Sequence, residues 1–245
     1  MKYNLERFDL ADYDITRFDG PRAGEQAVDF ALQDLDGRVV KLADYSGRWL
    51  VLEMGAATCP MYARNVKKMQ KIAAAYPDVD FAVVYVREPH PGGKLGAHRS
   101  FDDKIEAAQR LPRMHREQRR ILLDSLGGAM HTRYGLMPNS IYVINPKGKV
   151  VYRCDWAVAS ELEEVLENRH AIHANEHANR TVLDAPGPYT LLRTLAAAGW
   201  KAVWEFGTML PQLGQAHKTA DIYYDQVGHM AQGGPSMHDD PITTA

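Results

Sequence analysis

The feature that most constrains the fold is an apolar run that passes, after a short break, into a segment with helical periodicity. The run Trp49–Met54 is mostly apolar, which is typical of a central strand covered on both faces. Gly55 ends this run, and the apolar residues of Met61–Tyr76 then recur at helical spacing. Pro60 fits the first turn of that helix, where a missing N–H group costs nothing. The intervening Cys59 therefore lies at a strand-to-helix junction.

Further segments extend this pattern along the chain. Asp29–Leu42 is predicted to form a β-hairpin around the favoured Asp36-Gly37 turn. Ser100 is predicted to cap a helix, with Asp103 as its acidic partner. The other predicted strands are Phe81–Val86, Arg119–Asp124, Ile141–Ile144 and Lys149–Arg153, and the other predicted helices are Ser100–Leu111, Ser125–Tyr134, Ser160–Asn168 and Tyr189–Met209, the last broken at Gly199. This order indicates an α/β sandwich and is similar to the thioredoxin fold.

We therefore expect an α/β fold, a thioredoxin-like three-layer sandwich with an N-terminal hairpin and a helical C-terminal extension. The predicted parts are a lead-in over residues 1–24, a thioredoxin-like catalytic domain over 25–169, a helical extension over 170–228 and a disordered tail over 229–245. The apolar pieces of the extension, Leu191–Leu195 and Val203–Met209, are expected to dock on the domain or on a second copy in a homodimer.

Composition excludes several classes of function. The chain has 245 residues and a formal net charge of −2, so it lacks the general basic field that captures nucleic acid. Its two cysteines cannot build a disulfide framework or an all-cysteine zinc site, and we expect no bound metal. The sequence has no stretch of the ~20 apolar residues that span a bilayer and no signal peptide, so we expect a cytoplasmic protein without a membrane partner.

The position of Cys59 favours a reactive thiol. The start of a helix offers unpaired amide groups and the positive end of the dipole, and both favour the nucleophilic thiolate. The alternative is a small buried apolar residue. A local dithiol is excluded, because Tyr62 occupies the second cysteine position of Cys-x-x-Cys. The usual peroxiredoxin pattern, Pro-x-x-x-Thr-x-x-Cys, is not met either, because its first two positions hold Leu52 and Ala56.

An acid and an imidazole follow the strand Phe81–Val86. Glu88 and His90 are expected at the sheet edge that also carries the cysteine. Histidine donates or accepts protons near neutral pH, and Glu88 would orient it or balance its charge.

Four short elements, in order, resemble the iodothyronine deiodinase family over roughly residues 25–168. The first element, Gly-x-x-Thr-(Sec or Cys)-Pro, corresponds to Gly55, Thr58, Cys59 and Pro60, and the second, the strand-Glu-x-His-Pro loop, corresponds to Tyr85, Glu88, His90 and Pro91. The third, His-Arg-Ser-x-x-(Asp/Glu), corresponds to His98, Arg99, Ser100 and Asp103. The fourth, Tyr-Gly…Pro, corresponds to Tyr134, Gly135 and Pro138. The chain departs from the family at Arg87, where the family has an acid.

The resemblance implies reductive removal of iodine from a phenolic ring. Cys59 would attack the halogen and leave a sulfur–iodine species, which a second thiol reduces. Glu88 and His90 would handle protons, and Thr58 would help to polarise the bond that breaks. The expected partners are a small aromatic or peroxide substrate and an external thiol or thioredoxin-type reductant, with no other cofactor.

The resemblance also implies a set of substrate contacts. His98 and Arg99 would line the cleft and bind a carboxylate or phenolate, and Arg99 suits this as a planar, permanently charged group. Tyr62 and Pro138 complete the predicted contacts. In thioredoxin-like proteins the proline at the position of Pro138 is commonly cis and faces the reactive cysteine, whereas an isolated proline is usually trans.

Several alternatives stay open. Glu53 is either a buried proton relay for the thiol or the partner of a lysine or arginine. Cys154 is either a resolving cysteine for Cys59 or an inert thiol at the end of a strand. As a whole, the chain is a deiodinase-like oxidoreductase, a one-cysteine thiol peroxidase, or a non-enzymatic thioredoxin-fold binding module.

Overall fold

The computed structural model describes residues 3–13, 18–171 and 185–233. The strands in these residues are β1 (Ala31–Asp34), β2 (Val39–Lys41), β3 (Trp49–Gly55), β4 (Val79–Tyr85), β5 (Arg120–Leu123), β6 (Ile141–Ile144) and β7 (Val150–Cys154). The helices are α1 (Pro60–Ala75), α2 (Phe101–Ala108), α3 (Arg110–His115), α4 (Ala129–Arg133), α5 (Ala159–Glu167), α6 (Pro188–Ala198) and α7 (Trp200–Gly233). A short 3-10 helix, Leu10–Asp12, precedes the first strand.

The strands form one mixed sheet in the order β2-β1-β5-β4-β3-β6-β7. β3 pairs in parallel with β4 and antiparallel with β6, and its residues from Leu50 to Gly55 are buried. The prediction of a central strand is therefore confirmed. β1 and β2 form the predicted antiparallel hairpin. A larger apolar cluster includes residues of α2, α3 and α4, and a smaller one packs against α5 and the second half of α1.

Helix α1 begins where the sequence predicts. Pro60 is its first residue and Cys59 is its N-cap, and the apolar positions Val66, Met69 and Ile72 are buried. Because β3 ends at Gly55, only a short loop separates the central strand from this helix. The loop therefore places Cys59 at the carboxyl end of β3, with its backbone at the start of α1.

Some element boundaries differ from the prediction. The helix predicted over Ser100–Leu111 is capped by Ser100 and Asp103 as expected, but it is divided into α2 and α3. Pro112 explains the break, since it has no N–H group for the carbonyl of Ala108. The helix predicted from Ser125 begins only at Ala129, after a turn.

Helix α7 is longer than predicted. It continues through residues 229–233, which the sequence assigned to a tail, whereas residues 234–245 lie outside the described residues. The break predicted at Gly199 is confirmed, because α6 ends at Ala198 and α7 begins at Trp200. Among the helices in the part of the chain that the structure describes, none has the combination of length and apolar character that crossing a membrane requires.

The expectation of a cis proline is wrong. The described residues contain no cis peptide bond, so Pro138 is trans. The chain turns instead at Gly135 and Leu136, which have φ values of 91° and 59°. These two left-handed residues reverse the chain before β6, and the proline itself need not provide the turn.

Gly135 tests how tightly this turn is packed. We expect Gly135→Ala to lower the free energy of unfolding more than Gly47→Ala, measured by urea denaturation. Both glycines have positive φ, which costs alanine about 1–2 kcal/mol. A Cβ at Gly135 would also overlap the carbonyl oxygen of Asp19, whereas a Cβ at Gly47 meets nothing within 4 Å. This overlap adds about 1–3 kcal/mol. Equal losses of unfolding free energy in the two variants would contradict the tight packing of Gly135 against Asp19.

Candidate active site

Cys59 is almost completely buried, with 1% of its surface exposed. The amides of Tyr62 and Met61 favour its thiolate, as the helix-start argument predicts. Burial has the larger effect and raises the pKa of the Cys59 thiol to about 12. The predicted position at the helix start is confirmed, but the expected thiolate is not, because loss of solvent outweighs the helix contribution. Cys59 therefore carries its proton at neutral pH.

The carboxylate of Glu88 organises the loop that leads to Cys59. It accepts hydrogen bonds from the amides of Ala57 and Thr58, at 3.2 and 2.7 Å, and from the Thr58 hydroxyl at 2.6 Å. The hydroxyl of Tyr85 is a further donor to the same carboxylate. Burial raises the pKa of Glu88, whereas these donors oppose the shift. Glu88 therefore holds the loop by four contacts and is not itself part of the cavity described below.

Thr58 connects Glu88 to the histidine loop. Its hydroxyl donates to Glu88 and accepts a hydrogen bond of 3.1 Å from the backbone amide of His90. Thr58 is completely buried. Thr58 therefore fixes the backbone of His90 relative to the start of α1, and we assign it a positioning role.

The imidazole of His90 lies between two aromatic rings. Its ring centroid is 4.4 Å from that of Phe8 and 5.1 Å from that of Phe206. Nδ1 is buried and makes no hydrogen bond to any described residue. Burial lowers the pKa of His90 to about 3, so the ring is neutral. His90 is thus an uncharged proton acceptor in an apolar environment.

Cys59 and His90 line one cavity of about 350 Å³. The domain contributes Pro60, Met61, Pro89, Pro138 and Trp156, the N-terminal segment contributes Phe8, Leu10 and Tyr13, and the C-terminal part contributes Ala185, Pro186, Leu191, Phe206, Leu210, Leu213, Gly214 and His217. The described lining contains no Asp, Glu, Lys or Arg side chain. Such a cavity suits an apolar or aromatic ligand.

Arg87 fixes the N-terminal part of this lining. Its guanidinium donates to the backbone carbonyls of Tyr3 and Asp12, at 3.0 and 3.2 Å. It also lies over the rings of Tyr3 and Tyr13, at 5.4 and 4.8 Å from their centroids. The departure from the family pattern at Arg87 therefore has a structural use: a long cation attaches the lead-in to the domain.

The structure places Tyr62 outside the cavity. Tyr62 is completely buried, and its hydroxyl donates to Glu117 at 2.6 Å. Glu117 and Glu53 both pair with Arg119, at 2.7 and 2.6 Å. The ion-pair interpretation of Glu53 is therefore confirmed. Burial raises the pKa of Glu53, although Arg119 opposes that shift.

His98 and Arg99 are not brought to the cavity either. His98 is buried, with its Nε2 atom 3.1 Å from the Tyr85 hydroxyl, and burial lowers its pKa to about 4. Arg99 is exposed, and its amide binds the Asp103 carboxylate that caps α2. Arg99 is absent from the described lining of the cavity. The predicted contact between Arg99 and a substrate carboxylate has no support in this geometry.

Cys154 and Cys59 belong to different apolar clusters. Cys154 belongs to the smaller one, and its thiol donates to the carbonyl of Trp156 at 3.3 Å. Both cysteines are free, and Cys154 is absent from the described lining of the cavity. Burial raises the pKa of Cys154. The geometry favours the interpretation of an inert thiol.

Sequence reasoning missed the residues that cover the cavity. Phe8, Leu10 and Tyr13 belong to the lead-in, and α7 supplies Phe206 and His217. Their signal was the apolar and aromatic content of segments outside the core pattern. The sequence leaves docking on the domain or on a second copy open for the extension. In the structure it docks on the domain, because the amide of Lys94 donates to the carbonyl of Ala198 in α6, and residues of α6 and α7 also pack with Phe8 of the lead-in.

The family model of iodothyronine deiodinase matches residues 7–170. The chain belongs to the iodothyronine deiodinase family. It is 29% identical over 142 residues to thyroxine 5-deiodinase of Sus scrofa, which covers 51% of this chain and 46% of that protein. It is 30% identical over 149 residues to thyroxine 5-deiodinase of Aquarana catesbeiana, covering 56% of this chain and 55% of that protein. The chain thus spans about half the length of the curated relatives it matches.

Solved structures confirm the thioredoxin-like fold. A putative protein disulfide isomerase from Bacteroides thetaiotaomicron has a TM-score of 0.51 and 17% identity, and covers 64% of this chain and 99% of that structure. An uncharacterized conserved protein from Geobacillus kaustophilus has a TM-score of 0.51 and 18% identity, covering 63% and 86%. Helices α6 and α7 lie beyond the residues that the deiodinase model matches.

The raised pKa of Cys59 predicts the pH dependence of its alkylation. Because burial keeps the thiol protonated, the rate with iodoacetamide should rise about tenfold per pH unit from pH 7 to 10 without a plateau. Free cysteine should level off above its pKa of about 8.5. The rate is measured by mass spectrometry at Cys59, with Cys59→Ser as the blank and circular dichroism as the check on folding. A plateau near neutral pH would show a stabilised thiolate instead.

Proposed function

We propose that this protein is a thiol-dependent oxidoreductase that removes iodine reductively from a phenolic ring. Membership of the deiodinase family supports the reaction class. The observation that carries the proposal is the pairing of a protonated thiol, Cys59, with a neutral imidazole, His90, in one apolar cavity. A protonated thiol holds both the electron pair and the proton that replacement of iodine by hydrogen requires.

The first step balances with these two groups alone. The sulfur of Cys59 attacks iodine, so that an S–I bond forms and the C–I bond breaks. The electron pair of the broken bond stays on the ring carbon. The bond to iodine places positive charge on sulfur and makes its proton strongly acidic, so that only then does the proton pass to the neutral imidazole of His90, which delivers it to that carbon. The products are a sulfenyl iodide at Cys59 and the ring with hydrogen in place of iodine.

An external thiol then restores the enzyme. It attacks the Cys59 sulfur, expels iodide, loses a proton and leaves a mixed disulfide. A second thiol molecule cleaves that disulfide and returns the proton to Cys59, so that two thiols are oxidised to one disulfide for each iodide released. Both steps use a reductant outside the chain, and the buried position of Cys154 fits this route.

The lining of the cavity favours an aromatic substrate over a peroxide. The cavity presents chiefly aromatic, proline and aliphatic side chains, including Phe8, Leu191 and Phe206. An iodinated ring gains from the burial of its apolar surface there, at roughly 25 cal/mol per Å². Hydrogen peroxide is small and polar, and gains nothing comparable. The deiodinase interpretation therefore takes precedence over the thiol peroxidase.

Removal of the thiol tests the reaction directly. We expect the unsubstituted chain to release iodide from a 3,5-diiodophenol with dithiothreitol as reductant, and Cys59→Ser to lower the rate at least about 100-fold, because the nucleophile is lost. Cys154→Ala is the matched control and should stay within about threefold of the unsubstituted chain. Iodide is measured with an ion-selective electrode, and peroxide consumption is measured in parallel. Peroxide reduction without iodide release would favour the thiol peroxidase, and neither activity would favour a binding module.

Substitution of the imidazole tests the proton path. His90→Phe keeps a ring between Phe8 and Phe206 but removes the proton carrier, so kcat for iodide release should fall about 10²- to 10⁴-fold. KM should change much less, because the shape of the cavity is kept. Both constants come from steady-state iodide release, with thermal unfolding to verify the fold. An unchanged kcat would remove His90 from the mechanism.

A further inference from the structure

Helices α6 and α7 are attached to the loop that carries His90. The amide of Lys94 in this loop donates to the carbonyl of Ala198, the last residue of α6, at 2.9 Å. A Cβ on Gly92 would overlap this same carbonyl. Ala198 and Ala202 are completely buried. The extension is therefore held against the histidine loop at backbone distance, and its position beside the cavity is part of the fold.

The N-terminal lead-in and the extension are also joined to each other beside His90. The ring centroids of Phe8 and Phe206 are 5.9 Å apart, and both rings pack against the imidazole. The ammonium group of Lys201 donates to the backbone carbonyl of Glu6 at 3.3 Å. The two segments that enclose the cavity therefore hold one another as well as the domain, so that opening the cavity would break both kinds of contact.

This enclosure keeps the backbone of another protein away from Cys59. A disulfide between two protein cysteines requires Cα atoms about 4.4–6.8 Å apart, so a protein reductant must bring its own backbone close to the thiol. Cys59 has 1% of its surface exposed and lines a cavity of about 350 Å³. A thioredoxin-type reductant would have to insert a loop where Phe8 and Phe206 now pack. A small thiol requires no such displacement, because cavities of this size take small ligands.

The lining also discriminates among small thiols by charge. Its described residues include no Asp, Glu, Lys or Arg side chain, and the imidazole of His90 is neutral. A carboxylate that entered would lose its hydration without gaining a cation as partner, and this burial of a charge is costly. An uncharged thiol avoids that cost and gains roughly 0.8 kcal/mol for each CH₂ group that it buries. The cavity therefore favours an uncharged thiol over one that carries carboxylates.

We infer that the reductant of Cys59 is a small, uncharged thiol that enters the cavity, and not a thioredoxin-type protein. This inference rests on the proposed function, in which an external thiol cleaves a mixed disulfide at Cys59. The attacking sulfur bonds to the outer sulfur of that disulfide, the S–S bond breaks, and its electron pair and a proton go to Cys59. The reductant leaves as a disulfide with the first thiol, and Cys59 is a thiol again.

The test follows the reduction of a methyl disulfide at Cys59, formed with methyl methanethiosulfonate in the full chain carrying Cys154→Ala. Mass spectrometry compares three reductants: 2-mercaptoethanol, glutathione, and a thioredoxin with its reductase and NADPH. At equal thiolate concentration, uncharged 2-mercaptoethanol should react at least about tenfold faster than glutathione, which carries carboxylates. The thioredoxin should react at least about 100-fold more slowly than it does with an exposed disulfide, because its backbone cannot approach Cys59.

An exposed cysteine on α7 provides the matched control. Thr208 is exposed, and Thr208→Cys is made in a chain that also carries Cys59→Ser and Cys154→Ala. The thioredoxin should reduce the methyl disulfide at this position, and the rates of 2-mercaptoethanol and glutathione should differ there by less than about threefold.

Leu210 tests the effect of charge separately, because it lines the cavity and has 48% of its surface exposed. Leu210→Arg should raise the glutathione rate at Cys59 about two- to fivefold, as expected for a partly exposed ion pair with a carboxylate. Leu210→Gln, which is polar but uncharged, should leave the ratio of the glutathione and 2-mercaptoethanol rates unchanged.

The outcomes separate this inference from the proposed function. Equal rates of 2-mercaptoethanol and glutathione at Cys59, or a thioredoxin that reacts as fast there as at position 208, would overturn the inference. Failure of methyl methanethiosulfonate, itself small and uncharged, to modify Cys59 would overturn it as well. Iodide release by the unsubstituted chain is measured separately. Iodide release that the thioredoxin supports as well as dithiothreitol does leaves the proposed function standing without the inference, and selective reduction of Cys59 without iodide release does the reverse. Thermal unfolding of each variant confirms that it is folded.

Discussion

The carboxylate of Glu88 accepts hydrogen bonds from two backbone amides and two hydroxyl groups at a place that water does not reach. A buried donor that loses its partner costs roughly 1–3 kcal/mol, so this group of contacts allows the loop between β3 and α1 little freedom. Thr58 extends the constraint to the backbone of His90. The relative position of Cys59 and His90, which belong to different loops, therefore depends on one buried acid.

The same burial that fixes the site also determines its protonation. Neither Cys59 nor His90 is charged at neutral pH, because solvent is excluded from both. A conventional reactive cysteine relies on a stabilised thiolate, whereas Cys59 keeps its proton and lines the same cavity as the neutral imidazole of His90. That arrangement suits a reaction in which carbon must gain a proton as iodine leaves, since charge need not cross the boundary of the cavity.

Local sequence patterns predicted most of the fold and the position of Cys59 at the start of α1. Three features are determined by residues close together in the sequence, and the structure confirms each of them: the apolar run of β3, the cap at Ser100 and the Cys59–Pro60 junction. The predictions that the structure corrects concern side chains whose positions depend on residues distant in the sequence. Tyr62 is held by Glu117, His98 is buried against Tyr85, and Arg99 is exposed. Three of the four predicted substrate contacts are therefore absent from the described lining of the cavity. Phe206 could not be found from spacing, because only the packing of α7 brings it against His90.

The close approach of Gly92 to Ala198 restricts which residue can occupy position 92 during evolution. A side chain at position 92 would overlap the carbonyl of Ala198, so substitution of this glycine is incompatible with the docked helices. A relative without α6 and α7 would have no such restriction. Across deiodinase-like chains, a glycine directly after the His-Pro pair and a C-terminal helical pair should therefore be gained and lost together. The presence of that glycine would then mark which members of the family enclose their substrate.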